Sequence, residues 1–198
     1  MNSASLILDF IATFAFALVG AQMAIRKGMD VAGLVFVSSV SALSGGTFRN
    51  IVLGIPPAWL DHAYLLVAVL VSAVIAVALK KWRALSKFSL FFDSIGLGFA
   101  TTAGVQVSLD HGSRIYAALV LGILSGVLGG LVRDVLCQVP PVLLHRETNG
   151  ISSFIAAAAF AWLHSTKITL GWAEGISIAL LVLLRLVSVK FKWNLPRF

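Results

Sequence analysis

Charged side chains are missing from six long stretches of this chain: 10–25, 31–48, 62–79, 94–109, 115–132 and 148–166. A helix that crosses a bilayer needs roughly 20 mostly apolar residues, and each run reaches that length once its flanks are added. A seventh apolar stretch, about 171–190, contains Arg185, within two turns of Lys190, where a long side chain snorkels towards the interface. Hydrophobic residues make up 59% of the chain and charged residues 12%, against about half and a quarter in soluble domains. A folded chain of this size in water still exposes much of its surface, so lipid is the solvent this composition fits. The spacing predicts an all-α membrane protein, a single transmembrane domain over 1–198, with helices at about 5–25, 31–53, 62–79, 89–108, 114–138, 148–164 and 173–191. The first segment lacks a basic start and carries Asp9, so it reads as a retained helix rather than a signal peptide.

The net charge of +7 is distributed as a topology signal. If the loops alternate between two sides, one receives Arg26, Lys27, Lys80, Lys81, Arg83, Lys87, Arg146, Lys190, Lys192 and Arg197, and the other only Arg114 and Lys167. Ten against two places the N-terminus outside and the C-terminus in the cytoplasm. Lys80, Lys81 and Arg83 are also candidates for contact with anionic lipid headgroups, and their short-loop setting argues against nucleic acid as a partner. Most of the five tryptophans stand at span ends, as an aromatic belt requires.

Residues 9–60 align with 93–144 at a constant offset of 84, with 12 of 52 positions identical. The identities include Asp9/Asp93, Gly20/Gly104, Gln22/Gln106, Gly28/Gly112, Ser41/Ser125, Gly45/Gly129, Gly46/Gly130, Arg49/Arg133 and both proline pairs. A generic lipid-facing helix does not require aspartate, glutamine, arginine or proline, so the match reports a duplicated unit. Each copy holds three helices, 5–79 and 89–164. An odd number makes the second copy enter from the opposite face, which gives two inverted three-helix repeats plus a seventh helix at 173–191. Inverted repeats of this kind place a transport pathway at their interface.

The matched segments Ser44-Gly45-Gly46-Thr47-Phe48-Arg49-Asn50 and Leu128-Gly129-Gly130-Leu131-Val132-Arg133-Asp134 carry the chemistry. Two glycines in a row favour a break, and proline pairs end each helix. Ser44, Gly45, Gly46, Arg49, Gly129, Gly130, Arg133 and Asp134 are therefore candidates for a pore or its gate, with Asp9 and Asp93 as charge partners. The competing reading is structural: glycine pairs let helices approach closely, and Gly122, Gly126 and Gly130 form a ridge echoed by Ser38, Ala42 and Gly46. Arg49 has one acid within reach and Arg133 has two, so the two mouths are expected to differ in charge. Gln22 and Gln106 read as bridges between helices. Phosphate-loop, metal-cluster and nucleophile-elbow patterns are missing, the lone Cys137 is a small buried residue, and neither an enzyme, a metal nor a cofactor is indicated.

These residues resemble the prokaryotic branch of the TRIC family, the trimeric intracellular cation channels. Gly129-Gly130-Leu131-Val132-Arg133-Asp134 is similar to that family's Gly-Gly-x-x-Arg-Asp signature, Phe92-Asp93-Ser94-Ile95-Gly96 to the start of its fourth helix, and Arg26-Lys27-Gly28-Met29-Asp30 to its first loop. The first copy departs from the signature with Asn50 in place of aspartate and Ser44 in place of a frequent third glycine. The resemblance implies a homotrimer with one potassium-permeable, monovalent-cation pore inside each protomer, framed by helices 2 and 5. Bacterial relatives are also labelled glycine-transporter domains, so a secondary transporter of a small amino acid such as glycine is the alternative. A structural membrane protein without a pathway is a third reading.

Overall fold

The computed structural model describes residues 3–79, 83–141, 149–166 and 168–191. Among them every regular element is helical: α1 (Ser3–Arg26), α2 (Val31–Val52), α3 (Ala58–Asp61), α4 (Tyr64–Ala78), α5 (Arg83–Asp110), α6 (Ile115–Leu136), α7 (Asn149–Ser165) and α8 (Leu170–Lys190). Five are long and apolar enough to cross a membrane, over Ala4–Arg26, Val31–Val52, Ser89–Asp110, Ile115–Leu136 and Leu170–Lys190. The helices α4 and α7 are apolar but shorter, at 15 and 17 residues. The sequence-derived boundaries agree to within a few residues, except that α5 starts six residues early and the single turn α3 was not foreseen.

Helix ends follow local rules. Asp30 caps α2, its carboxylate accepting from Gly33 N–H at 2.8 Å. Helices α1 and α5 end at Gly28 and Gly112, with φ of +68° and +77°. There Met29 N–H donates to Ala24 O and Ser113 N–H to Ser108 O, the hydrogen bond of a Schellman cap. Helices α2 and α6 end the same way at Gly54 and at Gln138, whose φ of +50° makes it the one non-glycine among the described residues in the left-handed region. All four caps pair off at the spacing of the sequence repeat.

Two central helices organise the packing. Helix α1 lies against α2, α4 and α5, while α5 lies against α1, α6, α7 and α8, and α2 crosses α6. Gln22 accepts from Ser89 Oγ at 2.6 Å, and Ser89 Oγ accepts from Arg26 at 3.0 Å, so the end of α1 meets the early part of α5. Further along, Phe16 packs on Gly96. Position numbers fall on one helix as they rise on the other, so α1 and α5 run antiparallel. Outward faces are apolar, as on α4, where Val67, Leu70 and Val74 are exposed. A face of this kind belongs in lipid.

The glycine pairs do not interrupt their helices: α2 and α6 run through Gly45-Gly46 and Gly129-Gly130 as continuous helix. The helical hydrogen bonding is thus unbroken at both pairs, and the contacts show what the glycines do there. A Cβ on Gly45 would lie 2.0 Å from Ser125 O, and one on Gly129 would lie 2.4 Å from Ser41 O. The first glycine of each pair is therefore where α2 and α6 touch backbone to backbone. The second glycine faces only an arginine: a Cβ on Gly46 would be 3.8 Å from Arg49 Nη2, and one on Gly130 3.7 Å from Arg133 Nη2. That bare surface leaves room for the guanidinium to fold back along its own helix.

Candidate functional site

Arg49 is fully buried on the last turn of α2. Its Nη1 and Nη2 donate to Asp9 Oδ1 and Oδ2 at 3.1 and 2.9 Å, a fork against a carboxylate near the start of α1. Its Nε donates to Asn50 Oδ1 at 2.8 Å, and Asn50 Nδ2 donates in turn to Pro56 O at 2.8 Å, fastening the loop that follows. The second cluster repeats the plan with one more charge of each sign. Arg133 Nη1 donates to Asp93 Oδ1 at 2.6 Å, while its Nε and Nη2 donate to Asp134 Oδ1 at 2.9 and 2.8 Å. The other oxygen of Asp93 accepts from Arg185 Nη2 on α8.

Arg185 therefore does not snorkel: it is 2% exposed and bound to Asp93. The extra aspartate at 134, where the first copy has Asn50, explains its place. A second buried carboxylate needs a second cation, because a lone charge in lipid costs at least a few kcal/mol. The two clusters differ in their number of charges, one of each sign in the first and two of each sign in the second. Among the described residues, Arg49 balances Asp9, while Arg133 and Arg185 balance Asp93 and Asp134.

Two recesses lead towards these clusters. One, of about 440 Å³, is lined by Asp9, Thr13, Ser41, Gly45, Gly46, Thr47 and Trp59 among others. The other, of about 310 Å³, is lined by Asp93, Gly126, Gly130, Arg133, Asp134 and Arg185 among others. Asp9 stands near the start of α1 and Asp93 in the first half of α5. Since those helices are antiparallel, the recesses lie at different levels along the pair. Ser44 lines neither recess. Lys80 and Lys81 lie outside the described residues, as does the side chain of Arg83.

Sequence reasoning missed three contributors. Arg185 lay outside the repeat, so no paired position pointed to it. Trp59, assigned to the interface, lines the first recess and donates from Nε1 to Thr47 Oγ1 at 3.0 Å; a buried indole N–H needs such a partner. Phe16 lines both recesses and had no signal beyond its apolar character. Gln22 bridges α1 to α5 as expected, and Gln106 hydrogen-bonds Glu174 on α8.

A bundle of apolar helices with exposed hydrophobic faces, holding charge-balanced arginine–aspartate clusters beneath two recesses, is an integral membrane protein. The chain belongs to the prokaryotic TRIC family. A family model described as glycine transporter matches it twice, over residues 6–81 and 90–165. It is 34% identical to a UPF0126 membrane protein of Deinococcus radiodurans, over 96% of this chain and 89% of that one. Identity to the UPF0126 inner membrane protein YadS of Escherichia coli is 30%, over 96% and 94%. The structure is similar to the TRIC trimeric intracellular cation channel orthologue from Rhodobacter sphaeroides, with a TM-score of 0.91 at 29% identity, covering 97% of this chain and 100% of that one. A second TRIC cation channel superposes with a TM-score of 0.83 at 27% identity, covering 97% and 96%.

Proposed function

We propose that this protein is a potassium-permeable channel for monovalent cations, a homotrimer with one pathway inside each protomer. The observation that carries the proposal is the pair of recesses at different levels of the bundle, each reaching a buried arginine–aspartate cluster at a matched repeat position. A fixed guanidinium beside a cation path is a barrier unless neutralised, and both clusters neutralise theirs. Solved structures of similar proteins are those of TRIC cation channels, one of them called trimeric, which supports the cation and the trimer. Helices α2 and α6 frame the path, with Arg49 and Arg133 setting its field and Ser44 beside them on α2.

The architecture in this reading is seven membrane spans: two inverted three-helix repeats, 5–79 and 89–164, and a seventh helix at 173–191. Support comes from the antiparallel α1 and α5, the matched caps, and the reciprocal contacts of Gly45 with Ser125 and Gly129 with Ser41. The basic loops orient the N-terminus outside and the C-terminus in the cytoplasm. Anionic lipid headgroups meet Lys80, Lys81 and Arg83 on that side.

The family model's description favours a second reading, a secondary transporter of glycine. Purified protein in liposomes separates the two. A channel gives unitary current steps and voltage-dependent potassium flux. A transporter gives saturable, ion-coupled glycine uptake without unitary steps, and that result would overturn the channel.

A further inference from the structure

One side chain stands between the two recesses. Of all the residues that line them, Phe16 alone is common to both. It lies about two turns beyond Asp9 on α1 and faces α5 one turn beyond Asp93, so it falls between the charged clusters along the helix axes. Its ring is clamped by two glycines. A Cβ on Gly96 of α5 would sit 3.0–3.1 Å from the ring, and one on Gly129 of α6 would sit 3.5 Å from it. At the same level Ser41 Oγ donates to the Phe16 carbonyl at 3.3 Å, tying that turn of α1 to α2. The ring itself is 3% exposed and packs with Ala12, Leu97, Ala100 and Val127.

The repeat is broken at this point. The position matched to Phe16 in the second copy is Ala100, which lines the first recess. The centre therefore carries one aromatic ring rather than two, with the small Ala100 side chain on the wall of the first recess. An apolar constriction between two polar vestibules stops ions by excluding water, without any charge.

We propose that Phe16 is the barrier of the conduction path: its ring is a dry partition between the two recesses, and ions pass only when that ring is displaced. This rests on the channel reading, but the partition itself is testable without ion flux.

In a Cys137→Ser background, Thr13→Cys reports on the first recess and Leu131→Cys on the second. A charged, membrane-impermeant thiol reagent is added to one side of oriented vesicles at a time. With Phe16 present, each cysteine should react from one side only, and from opposite sides. With Phe16→Ala each should react from both. Phe16→Leu keeps most of the packing should the alanine variant fold poorly, and should show the same change in part. Potassium flux is read in parallel: Phe16→Ala should raise it roughly tenfold, the gain for a barrier lowered by about 1.4 kcal/mol. Ala100→Phe, which adds a second ring at the matched position of the other copy, should reduce it to background.

Labelling from both sides with Phe16 intact overturns the partition. So do well-folded Phe16→Ala and Phe16→Leu proteins that keep one-sided labelling and parental flux. If the labelling switches sides as described but no variant carries potassium, the partition stands and the channel reading fails.

Discussion

The charge on Asp93 is shared by two arginines, and that of Asp9 by one. Removing one member of a buried pair leaves an uncompensated charge and costs about 3–5 kcal/mol. Asp93→Asn should therefore lower the thermal unfolding midpoint in detergent sharply. Adding Arg185→Gln should recover part of the loss, because Arg133 and Asp134 then balance each other. If the double variant is no more stable than Asp93→Asn, the charge balance is not what holds Arg185 in place. Replacing Arg133 with Gln in a folded protein should change potassium conductance or its voltage dependence, whereas Lys80→Gln should change it much less. Equal conductance in folded Arg49→Gln, Arg133→Gln and parent proteins would make these arginines structural only. Cys137 sits just past the end of α6, where burial pushes its thiol above its ordinary value. The thiolate is the reactive form, so labelling at neutral pH should be slower than for a peptide thiol and should accelerate only at higher pH. Which residues belong together was partly legible: Asp9, Arg49, Asp93 and Arg133 recur at one offset, and buried charges need partners. Arg185 was misread because its distance from Lys190 was weighed and its distance from Asp93 was invisible.

At the scale of elements, the glycines of each pair have different work, and substitution should tell them apart. Gly45→Ala and Gly129→Ala drive a methyl into a facing carbonyl, so both should fail to assemble or lose most of their stability. Gly46→Ala and Gly130→Ala meet only the far end of an arginine, and thermal unfolding should show a much smaller loss. Equal losses at all four positions would remove the distinction. The caps offer a second comparison. A left-handed conformation costs a non-glycine residue roughly 1–2 kcal/mol, so Gln138→Gly should raise the unfolding midpoint while Gly54→Ala should lower it. Helix extents were readable because charges punctuate apolar runs, whereas the turn α3 and the left-handed caps at Gly28, Gly54 and Gly112 were not read from the sequence. Nor was the unbroken course of α2 and α6. Adjacent glycines weaken a helix and also let a neighbour approach, and only the position of Ser125 against Gly45 decides which use applies.

At the scale of the whole molecule stand the two halves and the trimer of the proposed function. Mass measurement in mild detergent should find three protomers; a stable monomer at high protein concentration counts against it. The proposed reversal of the second half rests on the repeat in the sequence, since an odd number of helices per copy implies it. The seat of Phe16 was not legible, because an apolar residue among apolar residues announces nothing until its neighbours are known. The last helix has a bearing on how the chain is made. Ribosomes deliver residues in order, and the first cluster has all its charges once Arg49 has emerged. The second carries two carboxylates against one guanidinium until Arg185 follows, 51 positions after Asp134. A nascent chain that stops short of α8 thus holds a surplus negative charge in its apolar interior, and only a chain synthesised through α8 is electrically finished.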